Sequence, residues 1–260
     1  MNKFKSNLGA SMSEKNTPFY FSFLRIHVSL GISLLFLIII SGCDNHINGI
    51  GDPVTKSLSL DTFTKVAIAL PANVYLQQGE EQNVEIVTQQ NIQDEIKTQV
   101  NNGKLKIDFR NFATTTKDNI TIYITLPMLE NLILSGSGKI FGETPFTESE
   151  ILELDLSGSG EIDLEATSKN IKGDISGSGK MLITGNSESF DLNISGSGEF
   201  QGFGLQTHTS DINISGSGRS EIHVITQLNA HISGSGSIYY KGNPEITGKI
   251  SGSGQIKNAN

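Results

Sequence analysis

The chain has 260 residues, 36% of them hydrophobic, and its 27 acidic against 19 basic side chains leave a formal charge of −8. That balance argues against a nucleic-acid partner, which would need a basic footprint for phosphate. With a single cysteine no disulfide framework is available, so stability has to come from packing.

In chain order the first element is an address. Lys3, Lys5, Lys15 and Arg25 precede a low-charge apolar run of 13 residues from Val28 to Ile40. A membrane-spanning helix needs roughly 20 apolar residues, and Arg25 with His27 blocks extension of the run, so residues 1–42 are expected to be a cleaved secretion signal. The run closes in Ile40-Ser41-Gly42-Cys43, which resembles the lipobox of bacterial lipoproteins. That resemblance implies that Cys43 is acylated, with palmitate among its chains, and becomes the mature N-terminus. The alternatives are a chance cleavage site and an uncleaved anchor. Two acyl chains hold a protein on a membrane stably where one does not, so the expected product is tethered to the cell envelope and does not span the membrane. The outer membrane is favoured over the inner, with the protein periplasmic or surface-exposed.

Residues 43–56 are polar and contain Gly49, Gly51 and Pro53, a composition suited to a flexible tether. Residues 57–130 then show short alternating runs at Val84–Val87, Leu105–Phe109 and Ile120–Thr125, the period of half-buried strands. Asn101-Asn102-Gly103 and Lys117-Asp118-Asn119 supply turn chemistry between them. A helical period is admissible only near Asn91–Ile96. The fold class is all-β.

Residues 131–260 are an internal repeat. Ser-Gly-Ser-Gly begins at Ser135, Ser157, Ser176, Ser195, Ser215, Ser233 and Ser251, at spacings of 22, 19, 19, 20, 18 and 18. The residue before each tetrapeptide is Leu or Ile, and the residue two beyond it is apolar in six of seven units, Ser220 being the exception. A linker would not keep apolar residues in register; a stack of solenoid coils would. The alternation of apolar and polar positions passes through the tetrapeptide, so the expectation is a continuous strand with both glycines inward and both serines outward. Seven coils would then display two columns of hydroxyls: Ser135, Ser157, Ser176, Ser195, Ser215, Ser233 and Ser251 in one, and Ser137, Ser159, Ser178, Ser197, Ser217, Ser235 and Ser253 in the other. Such a lattice could contact a repeating ligand; alternatively its hydroxyls satisfy one another in a compact wall. Two further columns carry charge. Lys139, Glu161, Lys180, Glu199 and Arg219 alternate in sign after the tetrapeptide, and Asp155, Asp174, Asn193, Asn213, His231 and Lys249 precede it.

Together, Val74–Gly79, Asn102–Ile107, Ile122–Pro127 leading into Leu134–Gly138, and the repeated tetrapeptides resemble the head GIN domain of putative autotransporter adhesins, over about residues 63–248. The resemblance implies a right-handed β-helix-like solenoid and an adhesin-like, non-enzymatic role, and it supplies no catalytic or binding residues. The residues themselves agree with the absence of catalysis. Gly138-Lys139 and Gly179-Lys180 lack the Ser/Thr of a phosphate-binding loop, and His208, His223 and His231 share no repeat position. No metal or cofactor is implied; the one alternative is calcium between Asp155 and Asp174. The expected partners are the membrane through the lipid anchor, a polysaccharide or other cell-surface ligand, and a second copy of the chain. Rival readings are a structural envelope module without a ligand and a polysaccharide lyase or hydrolase using a pair such as Glu153 and Asp174.

Overall fold

The computed structural model describes residues 47–110, 120–147 and 149–260. The leader, Cys43 and the Lys117–Asn119 turn lie outside them. The repeat forms strands β8 (Asn131–Gly136), β9 (Lys139–Gly142), β10 (Ile151–Gly158), β11 (Glu161–Gly177), β12 (Lys180–Gly196), β13 (Glu199–Gly216), β14 (Arg219–Gly234), β15 (Ser237–Lys241), β16 (Glu245–Gly252) and β17 (Gln255–Asn258). Successive coils pair in parallel, with each tetrapeptide in register on the one before it. The fold is therefore a β-solenoid. Its core includes the Leu or Ile that precedes each of the first six tetrapeptides, from Leu134 to Ile232, none more than 2% exposed.

The continuous strand expected through the tetrapeptide is not observed. Every such strand ends at the first glycine, the chain bends at the second serine, and a new strand starts beyond the second glycine. The first glycine has φ between 105° and 126° in all seven coils, a region that side chains rarely enter. It lies at the surface or half-buried and does not point inward. Only the second glycine is interior: a Cβ on Gly198 would stand 2.4 Å from Cγ2 of Ile175 in the preceding coil. The corner spans four residues, an even number, so in–out parity survives it. Alternation in the sequence thus persists across a break in the strand.

A second corner carries the parity slip that the first lacks. Ser168, Ser187 and Thr207 are buried in register on one another, and the next inward side chains, Ile171, Phe190 and Ser210, follow three residues later. Their hydroxyls serve backbone carbonyls stranded at the bend. Ser168 Oγ donates to Ser149 O at 2.8 Å, and Ser187 Oγ donates to Ser189 O at 2.7 Å. Unequal coil lengths are absorbed nearby, where Phe203–Leu205 bulge from β13 and Ile225–Thr226 from β14.

The N-terminal strands belong to the same stack but enter it out of chain order. They are β2 (Lys65–Ala69), β3 (Ala72–Gln78), β4 (Asn83–Gln89), β5 (Ile96–Asn101), β6 (Lys104–Phe109) and β7 (Ile120–Leu126). Strand β2 lies in parallel between β6 and β8, and β3 between β7 and β9. Strands β4 and β5 run antiparallel to β7 and β6. The Asn102-Gly103 turn closes β5 on β6 with φ of 51° and 68°, as its composition predicts. The admissible helical segment yields one short helix, α1 (Gln90–Gln93).

Part of the expected tether is also ordered. Residues Pro53–Ser57 form β1, antiparallel to β4, and Ile50 N donates to Asn91 Oδ1 at 2.9 Å. Composition missed this because β1 is held by pairing with β4 and by the Ser57 Oγ hydrogen bond to Glu85 Oε1 at 3.1 Å, not by burial: all five of its residues are exposed.

Candidate surface site: the serine wall and its groove

Register places the first serines of all seven coils in one column and the second serines in another, on either side of the corner. Thirteen of the fourteen are exposed and Ser135 is half-buried. Backbone pairing continues around the bend, since Ser197 N donates to Gly177 O and Glu199 N to Gly179 O, each at 2.9 Å. The hydroxyls do not satisfy one another: no Oγ of the fourteen bonds to another described residue. The two columns expected on one continuous strand instead flank a bend, the first serine lying near the end of one strand and the second at the bend before the next.

Beside the first serine column runs a groove with a cavity of about 430 Å³. One wall is Ser195, Ser215, Ser233 and Ser251; the other is Asn193, Asn213, His231 and Lys249, two residues earlier in each coil. The walls arise because both positions point outward while the intervening Ile194, Ile214 and Ile232 turn into the core. Within the amide wall, Asn213 Nδ2 donates to Asn193 Oδ1 at 3.3 Å and Asn193 Nδ2 to Asp174 Oδ1 at 3.0 Å. Asp155 in turn accepts from Asn131 Nδ2 at 3.1 Å. Asp155 and Asp174 thus each take an amide, and among the described residues no cluster of three or more His, Cys, Asp or Glu could hold a metal. Glu153, weighed as an acid/base partner of Asp174, pairs with Lys172 at 3.5 Å.

Past the corner, the alternating charge column forms as expected. Lys139 Nζ lies 2.8 Å from Glu161 Oε2, Lys180 Nζ 4.0 Å from Glu161 Oε1, and Arg219 Nε 3.9 Å from Glu199 Oε1. The Lys139 hydrogen bond, with help from the charges of Lys139 and Lys180, holds the Glu161 carboxyl below the ordinary carboxylate range, although partial burial opposes this. Sequence reading missed the neighbouring ladder of Tyr123, Tyr75 and Phe141, stacked at 5.4 and 5.7 Å between ring centroids. These rings come from strands that become neighbours only through the out-of-order stacking, so no sequence period reveals them. A second groove, of about 420 Å³, lies at the other corner beside Thr167, Asn186, Gln206 and His208.

The family described as putative auto-transporter adhesin, head GIN domain, matches residues 62–244. The chain belongs to this family. Three solved structures are similar in fold over most of the chain. A putative adhesin from Bacteroides fragilis NCTC 9343 is 24% identical, with a TM-score of 0.78 over 82% of this chain and 99% of that one. A putative lipid binding protein from Parabacteroides distasonis ATCC 8503 is 25% identical, with a TM-score of 0.69 over 83% and 100%. A putative adhesin from the same strain is 23% identical, with a TM-score of 0.64 over 82% and 100%. No curated protein sequence matches. Of these three structures, two are described as putative adhesins and one as a putative lipid binding protein.

Proposed function

We propose that this protein is a non-catalytic, lipid-anchored adhesin of the bacterial envelope, which contacts a repeating polysaccharide or another cell surface through its serine wall. The observation that carries the reading is the set of fourteen register-aligned hydroxyls without partners among the described residues, four of which line a groove of about 430 Å³, in a head GIN domain. A serine hydroxyl both donates and accepts, so a periodic column of them suits a ligand that repeats hydroxyls along its length. Anchoring rests on the leader and on Cys43: acylation there would tether the protein to a membrane.

Replacing Ser195, Ser215 and Ser233 together with Lys should abolish binding on a glycan array and to whole cells while leaving the circular dichroism spectrum unchanged. Retained binding would sink the serine wall as the contact surface. Cys43→Ser should move the protein from the membrane to the soluble envelope fraction and abolish labelling by a fatty-acid probe; persistent labelling would remove the anchor from the proposal.

A further inference from the structure

The groove is not uniform along the solenoid axis. Its non-serine wall is amide in two coils, Asn193 and Asn213, and cationic or titratable in the next two, Lys249 and His231. Two residues before the amides stand Asp191 and Asp211, the latter accepting from Asn213 Nδ2 at 3.2 Å. The equivalent positions beside His231 and Lys249 are Asn229 and Thr247, which carry no charge. Lys249 makes no ion pair with any described residue and is exposed. The one formal charge in the groove lining, Lys249, therefore lies at one end, beside His231, and the other lining donors and acceptors are neutral amides and hydroxyls. The chain around it is acidic overall.

We infer that the groove takes an acidic polysaccharide, laid along the solenoid axis, with a carboxylate or sulfate at Lys249 and His231 and sugar hydroxyls against Asn193, Asn213 and the serines. This rests on the reading that the serine wall contacts a glycan, and it adds the ligand's charge class and direction. Coils repeat about every 4.8 Å, comparable with one sugar ring along an extended chain, so amides and hydroxyls recur in step with the rings. The Lys249 ammonium, without an ion pair among the described residues, is the groove element that discriminates charge, because a neutral hydroxyl array binds neutral and acidic sugars alike.

The test uses the purified protein in affinity electrophoresis and interferometry. The probes are polygalacturonate, its fully methyl-esterified form, hyaluronate, neutral dextran, and phosphatidylglycerol vesicles. Polygalacturonate or hyaluronate should bind at least about ten-fold more tightly than the neutral polymers. The advantage should fall as salt rises and disappear in the Lys249→Gln, His231→Gln double variant. Arg219→Gln, beyond the corner, should leave affinity unchanged and so separate a local site from general charge. Equal affinity for acidic and neutral polymers, lost on Lys substitution of Ser195, Ser215 and Ser233, overturns the charge class but keeps the glycan reading. Binding to the vesicles and to no polymer, or to no probe, overturns both.

Discussion

At Gly216 the backbone φ is 122° and a Cβ would lie 2.4 Å from the carbonyl oxygen of Gly196 in the coil below. Gly216→Ala is therefore expected to cost about 1–3 kcal/mol or more, read as a lower urea midpoint. Ser217→Ala, at an exposed hydroxyl without a partner one residue on, should stay within about 0.5 kcal/mol. Equal losses at both positions would mean that the serines are structural. Ser220 is the converse case. It replaces the apolar residue of its column, is fully buried between Phe200 and Ile238 in register, and its Oγ has no hydrogen-bond partner. Removing a buried, unsatisfied hydroxyl recovers its desolvation cost, so Ser220→Ala should stabilise by about 1 kcal/mol with an unchanged m-value. A fall in the urea midpoint would reveal a partner such as bound water. The exception at Ser220 was legible as a pattern break. Its lack of a partner was not, because that depends on which groups the neighbouring coils bring within reach.

Among the elements, the two corners behave differently under sequence reading. The tetrapeptide corner announces itself by repetition, yet its even length preserves parity and hides the break in the strand. The hydroxyl corner at Ser168, Ser187 and Thr207 changes parity, but its residues resemble ordinary surface Ser and Thr until the carbonyls they satisfy are known. The charge ladder was readable because a column of one position per coil becomes a row of neighbours in a parallel stack. Its pH dependence follows from Glu161. A carboxyl whose value is depressed on folding contributes stability that is present above its unfolded value of about 4.3 and is lost as pH falls through the folded value. Lys139→Met removes the largest cause of that depression. The Glu161 carboxyl should then titrate closer to the ordinary range by NMR, and the acid limb of the stability curve should lose part of its slope. An unmoved titration midpoint would show that the pairing is absent in solution.

For the whole molecule, the consequential feature is that residues 57–130 and 131–260 share one stack, with β2 and β3 each inserted between two strands that follow it in the chain. Repeat stacks couple through neighbours, so damage in β3 should spread into the first serine coils. Leu76 is fully buried, and Leu76→Ala is expected to cost about 2–5 kcal/mol. Amide hydrogen exchange should accelerate across Asn131–Gly158 as well as across Ala72–Gln78; normal protection of Asn131–Gly158 would make the two portions separate domains. The sequence by itself determined the all-β class, the repeat, the in-register columns and the interior Leu and Ile, because each depends on period and parity, which are properties of a linear string. The tertiary structure alone decided where the chain turns, which glycine faces inward, how β2 and β3 enter the stack, and that the serine hydroxyls have no partner among the described residues, four of them lining a groove. Those outcomes depend on the angle of a corner and on which distant strands meet, and neither is encoded in the spacing of residues along the chain.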